Sequence, residues 1–193
     1  MRNYAEEIAY LYFRLNGFFL LDNYVTHAGE NENRMHTDSD ILGIKTNLVK
    51  ESVGLVGPND IDKSLDKIIG GYSYIGLLCE VKGGVSNDWI INDNRILPCV
   101  KRMGLLEEGE VDTCVSQLKK SAAYISKDEK TIIVKVVATN NSNEETNKKW
   151  YLISLNEMSE FIQGRAKKYL EKQRGWNFYA SNLFQYILKS PRP

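Results

Sequence analysis

Apolar residues recur at two periods along this chain, and each period predicts a different kind of element. Over residues 4–16 they recur at helical spacing, which predicts an amphipathic helix with Asn3 as its N-cap and Gly17 as its stop. The apolar face of this helix consists of Tyr4, Ile8, Leu11 and Leu15. The first predicted element is therefore a helix with one face to bury.

Five segments rich in β-branched and aromatic residues predict strands. They are residues 18–27, 37–45, 74–82, 131–139 and 150–155. A polar turn over residues 28–36 joins the first two strands. Residues 46–73 combine Gly, Pro, Asn and Asp with a short helical pattern, so we interpret them as an insertion between the second and third strands.

Helical spacing returns after the third strand. The further predicted helices are residues 95–106, bent or restarted at Pro98, then 110–125, 156–173 and 176–188. The last two form a C-terminal helical extension over residues 156–190. The element order α-β-β-(insertion)-β-α-α-β-β-α-α predicts one α/β domain covering residues 1–193.

The charge balance of the chain excludes one class of nucleic-acid-binding protein. The chain carries 25 basic and 25 acidic side chains, so its formal net charge is zero. This balance excludes a strongly basic protein that coats nucleic acid. It does not exclude a nuclease, because an acidic metal site and a basic substrate surface can cancel in the sum.

The sequence predicts a cytoplasmic protein with no membrane partner. No apolar run approaches the ~18 residues of a membrane span, and Arg14 and Gly17 interrupt the first apolar stretch before a signal-peptide core can form. Cys79, Cys99 and Cys114 show no C-x-x-C spacing and lie in predicted strands or helices. We therefore expect buried, reduced thiols.

Candidate chemistry lies at the ends of two strands that we expect to be neighbours. Asp40 begins the apolar part of the second strand, and the third strand becomes charged only at its C-terminal end, with Glu80 and Lys82. Residues two apart in a strand share a face, so Glu80 and Lys82 point one way and Val81 the other. A metal-dependent phosphodiesterase needs such a set, because carboxylates hold Mg²⁺ and a lysine orients the attacking water.

These residues resemble the PD-(D/E)xK nuclease superfamily, which includes restriction endonucleases and archaeal Holliday junction resolvases. The resemblance rests on Asp40, on the run Glu80-Val81-Lys82, and on a preceding helix that carries Glu6. Most of the chain takes part, since residues 87–111 and 161–169 are similar to a group of bacterial hypothetical proteins assigned to this superfamily.

The resemblance implies a restriction-endonuclease-like αβββαβ core, with a mixed central sheet flanked by helices. It implies a Mg²⁺-dependent nuclease, with Mn²⁺ as an alternative metal and DNA favoured over RNA. Asp40, Glu80 and Val81 would lie at the metal, Lys82 would be catalytic, and Glu6 would complete the site. Because 40 residues separate Asp40 from Glu80, the insertion must leave the sheet and return to it.

Two further residues have a structural and a functional interpretation. Glu6 either completes the site or is the N3 partner of an Asn3 cap. Gln117, in a helix after the active-site strand, is either an exposed helical residue or a site contact of the kind several nucleases of this superfamily carry.

Nucleic acid would be contacted outside this cluster. Trp89, in a loop just after the site, is a base-stacking candidate. Arg165, Lys167 and Lys168 belong to a basic run that either binds nucleic acid or is a solvated helix end.

Two alternative functions come from other classes. Asp38 and Asp40 faintly resemble the paired acids of a nucleotidyltransferase, although Gly29-Glu30 stands where that family has Gly-Ser or Gly-Gly. Asp38 is otherwise either a turn residue at the strand entrance or a further metal ligand. The second alternative is a binding module that keeps the nuclease fold without turnover, and the intact Asp, Glu and Lys set argues against it. The oligomeric state is left open, with a homodimer as one option.

Overall fold

The computed structural model describes residues 3–26, 37–48, 61–83, 93–140, 149–168 and 186. Its helices are α1 (Tyr4–Leu15), α2 (Lys63–Ile69), α3 (Ile96–Met103), α4 (Glu108–Leu118) and α5 (Leu155–Lys168). Its strands are β1 (Phe19–Thr26), β2 (Thr37–Thr46), β3 (Tyr74–Lys82), β4 (Ala123–Ile125), β5 (Thr131–Thr139) and β6 (Tyr151–Ser154). A 3₁₀ turn, Asp93–Arg95, leads into α3. No helix within these ranges has the length and apolar character needed to cross a membrane.

The six strands form one mixed sheet with helices on both faces. β1, β2 and β3 are antiparallel neighbours in chain order, and β5 lies parallel to β3. The other edge of β5 is shared by β4 along its first half and β6 along its second half. Parallel neighbours need a crossover connection, and the segment between β3 and β5 contains α3 and α4. The predicted α/β class is confirmed.

The chain of the 46–73 insertion leaves the sheet after β2 and returns to it at β3. These two strands pair from Thr46 opposite Tyr74 to Ile41 opposite Cys79. The predicted adjacency of the second and third strands is therefore confirmed, despite the length of the connection between them.

Two hydrogen bonds anchor the ends of this connection. The Asn47 N–H donates to the Ser73 carbonyl over 2.8 Å at the base of the β2–β3 pair. The side-chain oxygen of Asn16, just after α1, accepts from the Asp62 N–H over 2.8 Å. Asp62 is the N-cap of α2, so α2 begins against the end of α1.

Alternate residues of the central strands fill two apolar clusters, one on each face of the sheet. Towards α1, α2 and α5, β3 contributes Ile75, Leu77, Cys79 and Val81. Towards α3 and α4 it contributes Leu78. Because β3 and β5 are buried on both faces, their sequences are almost continuously apolar, and both predicted strands match the observed bounds.

Helix α1 matches its predicted bounds closely, and its predicted apolar face is confirmed at Ile8 and Leu11 but not at Tyr4. Tyr4, predicted to be buried, is 67% exposed, and Leu15 is only partly buried. The buried residues are Ala5, Ile8, Ala9, Leu11, Tyr12 and Phe13. Ala5 and Ala9 belong to this set because small side chains let a helix approach the layer beneath it closely.

Two cations cap the C-terminal end of α1. Lys45 Nζ donates to the Asn16 carbonyl over 2.6 Å, and the Arg165 guanidinium donates to the Leu15 carbonyl. Positive charge is favourable there because the C-terminal end of the helix dipole is negative. Gly17 follows with a φ of 87°, the left-handed conformation that glycine adopts most readily after a helix.

The helix predicted over residues 110–125 is wrong in its last part. α4 ends at Leu118, and residues 123–125 form β4 instead. Ala122 and Ile125 continue the helical spacing, so periodicity did not separate the two elements. β4 forms by pairing with β5, and that pairing is a tertiary contact.

Pro98 neither bends nor restarts its helix. It is the third residue of α3, in the first turn, where an N–H would have no intrahelical partner. The predicted polar turn 28–36 lies outside the described residues, and so does nearly all of the predicted helix 176–188.

Lys135 is a charged residue within a strand that is buried along its whole length. It is 1% exposed, and its ammonium lies 4.4 Å from the centre of the Trp150 ring. Burial lowers the pKa of Lys135 to about 8, while the negative charge of Asp93 acts in the opposite direction. This lysine therefore titrates close to neutral pH.

Replacing Gly17 by Ala should lower the free energy of unfolding by about 1–2 kcal/mol, because a Cβ is disfavoured at positive φ. That Cβ would also lie 3.3 Å from Lys45 Nζ. Gly164→Ala is the matched control, since Gly164 lies inside α5 with open space around it. The control should raise stability by up to about 1 kcal/mol. Urea denaturation measures both variants, and a shift of the same sign in each would contradict the C-cap assignment.

Replacing Lys135 by Met should flatten the pH dependence of stability between about pH 8 and pH 10. Lysine in an unfolded chain has a pKa near 10.4. In this window the unfolded chain holds a proton that the folded protein has lost, so raising the pH stabilises the wild type. Denaturant melts of both proteins across the window measure the effect. Parallel pH profiles would show that the pKa of Lys135 is not lowered.

Candidate active site

β2 and β3 separate just beyond their last paired residues, Ile41 and Cys79. At this fork Asp40 Oδ2 accepts a hydrogen bond from the Val81 N–H over 2.6 Å. The bond joins a side chain of β2, one residue beyond the last pair, to a backbone N–H of β3, two residues beyond it. The carboxylate of Asp40 is therefore fixed at the C-terminal end of β3.

Glu80 carries a buried carboxylate between two cations. The residue is only 1% exposed. Arg95 Nη1 donates to both carboxylate oxygens, over 3.2 and 3.4 Å. Lys82 Nζ lies 3.8 Å from Glu80 Oε2, while the side chain of Val81 packs in the cluster on the opposite face. The predicted shared face of Glu80 and Lys82 is confirmed.

Exposure rises along the end of β3. The Glu80 side chain is 2% exposed and the Lys82 side chain 33% exposed. A buried acid is thus followed, on the same face, by a cation that reaches solvent. A charged substrate at the end of the strand would meet the Lys82 ammonium before the carboxylate.

Two cysteines lie near these carboxylates but are not nucleophiles. Burial raises the pKa of the Cys79 thiol well above its usual value, and the charges of Asp40 and Glu80 raise it further. Burial also raises the pKa of Cys99 to about 12, and Glu80 acts in the same direction. Both thiols stay protonated at neutral pH, whereas the thiolate is the reactive form. All three cysteines of the chain are buried and free, as predicted.

The carboxylates of Asp40 and Glu80 and a backbone carbonyl such as that of Val81 are oxygen donors of the kind that Mg²⁺ and Mn²⁺ accept. Mg²⁺ is usually bound through one or two carboxylates and keeps several waters. Within the described ranges no group of three or more His, Cys, Asp or Glu side chains could hold a metal. The fit rests on the chemistry of these oxygen donors, since Glu80 is already paired with Arg95 and Lys82. That the two acids share one metal stays a prediction.

Glu6 caps α1 and lies close to the end of β3. Its carboxylate accepts hydrogen bonds from the backbone and side-chain N–H groups of Asn3, and Asn3 Oδ1 accepts from the Glu6 N–H. A Cβ built on Gly83 would lie 3.2 Å from the Ala5 side chain, so the first turn of α1 touches the residue after Lys82. The capping interpretation is confirmed, and a role for Glu6 in the site stays a prediction.

Gln117 is bound at the far edge of the sheet. Its Nε2 donates to the Ala123 carbonyl over 3.2 Å, on edge strand β4. β5 lies between β4 and β3, so this bond holds the amide away from the strand that carries Glu80. The side chain is exposed, as the structural interpretation expects, and a contact of Gln117 with the site stays a prediction.

The basic run of α5 contains one packed residue and two exposed lysines. Arg165 donates to the Leu15 carbonyl and lies 5.8 Å from the centre of the Phe161 ring, so it holds α5 against α1. This engagement weakens the prediction that Arg165 binds nucleic acid. Lys167 and Lys168 are exposed in the last turn of α5 and keep that predicted role.

Two remaining predictions concern Asp38 and Trp89. Asp38 is part of β2 and pairs with Val25, so it is not a turn residue. Whether its carboxylate takes part in chemistry stays a prediction. Trp89 lies outside the described residues, and its proposed stacking on bases is untested.

Arg95 is the residue that sequence reasoning missed. It belongs to the 3₁₀ turn before α3 and reaches across to Glu80, 15 residues earlier in the chain. One local feature points to it: a cation stands at the N-terminal end of a helix, where the dipole favours an anion. The Arg95 side chain makes no capping hydrogen bond at this helix end, so capping does not explain its position.

Comparison with known proteins identifies no relative of this chain. The function must therefore be inferred from the contacts of its own residues. No protein-family model, no curated protein and no solved structure matches it.

Proposed function

We propose that this protein is a metal-dependent nuclease with a restriction-endonuclease-like core, acting in the cytoplasm and hydrolysing phosphodiester bonds, with DNA favoured over RNA. Asp40 and Glu80 would hold Mg²⁺ or Mn²⁺, with the Val81 carbonyl beside them. Lys82 would orient the attacking water. The observation that carries the proposal is the hydrogen bond from the Val81 N–H to Asp40, because it joins one acid to the backbone between the other acid and the lysine.

The order of elements supports the same proposal. A helix, α1, precedes three antiparallel strands, and a helical crossover then leads to β5, parallel to β3. This order is compatible with the αβββαβ core that the resemblance implies. β4, β6, α2 and α5 are then additions to that core. Fold alone does not establish activity, so the proposal depends on the site.

Each residue has a task that follows from its position. When bound, the metal would supply positive charge to the scissile phosphate and lower the pKa of water. The bond from the Val81 N–H holds the Asp40 carboxylate in one orientation, which reduces the cost of organising the site at each turnover. Lys82, a third exposed, presents its ammonium at the surface, where it can orient water and offset negative charge that develops on the phosphate.

A binding module without turnover is the second candidate, and one observation favours it. Glu80 is already neutralised by Arg95 and Lys82, so the carboxylate is stable without a metal. Metal titration separates the two candidates, since a module of this kind should give no heat with Mg²⁺ or Mn²⁺. The nucleotidyltransferase alternative, using Asp38 and Asp40, has no further observation in its favour.

Lys82→Ala and Glu80→Gln should both reduce cleavage, but only one should weaken metal binding. Losing a preorganised charge contact such as Lys82 typically costs about 10²- to 10³-fold in rate. Its removal leaves both acids in place, so Mn²⁺ affinity should be kept or slightly increased. Glu80→Gln removes an anionic ligand, so affinity and rate should fall together.

Cleavage of plasmid, linear and single-stranded DNA, with and without chelator, measures the rate, and calorimetry with Mn²⁺ measures affinity. Lys101→Ala, on the exposed side of α3, is the control for a general loss of positive charge. If Lys82→Ala cleaves DNA at a near wild-type rate, the Glu80–Lys82 contact is an ordinary ion pair and the proposed site is wrong.

Glu6→Gln separates a role in the site from the observed role in the cap. Glutamine can serve as the N3 partner in a capping box, so the melting temperature should hardly change. If Glu6 completes the site, cleavage should fall. Asn3→Ala is the matched variant, because it removes the other half of the cap and should cost about 1 kcal/mol of stability while sparing activity. Full activity of Glu6→Gln would leave Glu6 with a purely structural role.

A further inference from the structure

The contact between Arg95 and Glu80 joins two largely buried charges of the candidate site, and the proposed function does not use it. Arg95 Nη1 lies 3.2 Å from one carboxylate oxygen and 3.4 Å from the other. The Arg95 side chain is 17% exposed and that of Glu80 is 2% exposed, so the pair is largely shielded from water. Shielded charges interact more strongly than exposed ones.

The Arg95 guanidinium keeps its positive charge, so it competes with a metal for Glu80. Arginine stays protonated in proteins at all ordinary pH values. A divalent cation on Glu80 would use the oxygen lone pairs to which Arg95 donates and would bring two positive charges next to a third. The metal and the present Arg95 contact therefore compete for the same carboxylate.

The position of Arg95 is explained by its contact with Glu80. A cation at the start of α3 is unfavourable towards the helix dipole, so its location is better explained by what it reaches than by the helix. It reaches the one acid of the site that is almost fully buried. A buried carboxylate left without a cation would be costly to fold, and Arg95 removes that cost when no metal is bound.

Resting on the proposed function, we propose that Arg95 is a positioning residue that holds the Glu80 carboxylate in place in the metal-free protein and competes with the divalent cation for it. Arg95 thus stabilises the empty site and lowers the metal affinity. Lys82, farther from Glu80 at 3.8 Å and more exposed, remains beside the carboxylate when the metal replaces the guanidinium.

The test is Arg95→Gln, studied in chelator and in Mn²⁺. In chelator the melting temperature should fall, because Glu80 loses its closest cation. Calorimetry should show Mn²⁺ binding about tenfold tighter than in the wild type, a change that corresponds to about 1.4 kcal/mol. The rise in melting temperature on adding Mn²⁺ should be correspondingly larger. If Arg95 has a purely structural role, Arg95→Gln should lower the melting temperature without increasing the Mn²⁺ affinity.

Three companion variants keep the test decisive. Arg95→Lys keeps a positive charge but not the planar donor group. Its Mn²⁺ affinity should therefore lie between that of the wild type and that of Arg95→Gln. Arg95→Gln combined with Glu80→Gln removes both charges and should recover most of the lost melting temperature in chelator. Lys101→Gln, on the exposed side of α3, should change neither quantity.

The outcomes separate this inference from the function on which it rests. If the wild type binds Mn²⁺ and cleaves DNA, but Arg95→Gln binds the metal no tighter, the competition is refuted and the nuclease proposal stands. If only Arg95→Gln binds Mn²⁺, the competition is supported in its strongest form. If neither protein binds Mn²⁺, both proposals fail.

Discussion

The antiparallel pairing of β2 with β3 is the constraint on which the candidate site depends. It brings Asp40 to the end of β3 although 40 residues of chain separate it from Glu80. Because side chains alternate along a strand, a slip of one residue would turn Glu80 and Lys82 towards the α1 face. A long connection is compatible with this register, since the entropy of closing a loop grows only slowly with its length.

Stability alone does not require the buried charges of the candidate site. Burying Glu80 and Arg95 costs desolvation energy that their mutual attraction returns only when the geometry is good. A pair of apolar side chains of similar volume would often give an equally stable fold. A central strand that is apolar up to Cys79 and then places an acid in the interior therefore carries a group that packing does not require.

Helix α1 connects the site to the rest of the molecule. Its first turn is closed by Asn3 and Glu6 and touches the end of β3. Its last turn is capped by Lys45 from β2 and Arg165 from α5, so three elements meet there. The helix is thus held at both ends, and its fixed first turn touches Gly83, just beyond the end of β3.

The sequence by itself determined the elements whose burial is periodic or complete, together with one local consequence of strand geometry. β3 and β5 were predicted with their observed bounds because both faces are buried, and the shared face of Glu80 and Lys82 follows from alternation. Only the tertiary structure decided which partners these elements meet. β4 exists through its pairing with β5, and Arg95 reaches Glu80 only because α3 packs on that face of the sheet. Hydrophobic periodicity reflects how a segment is buried, but it does not indicate which distant residue a side chain will contact.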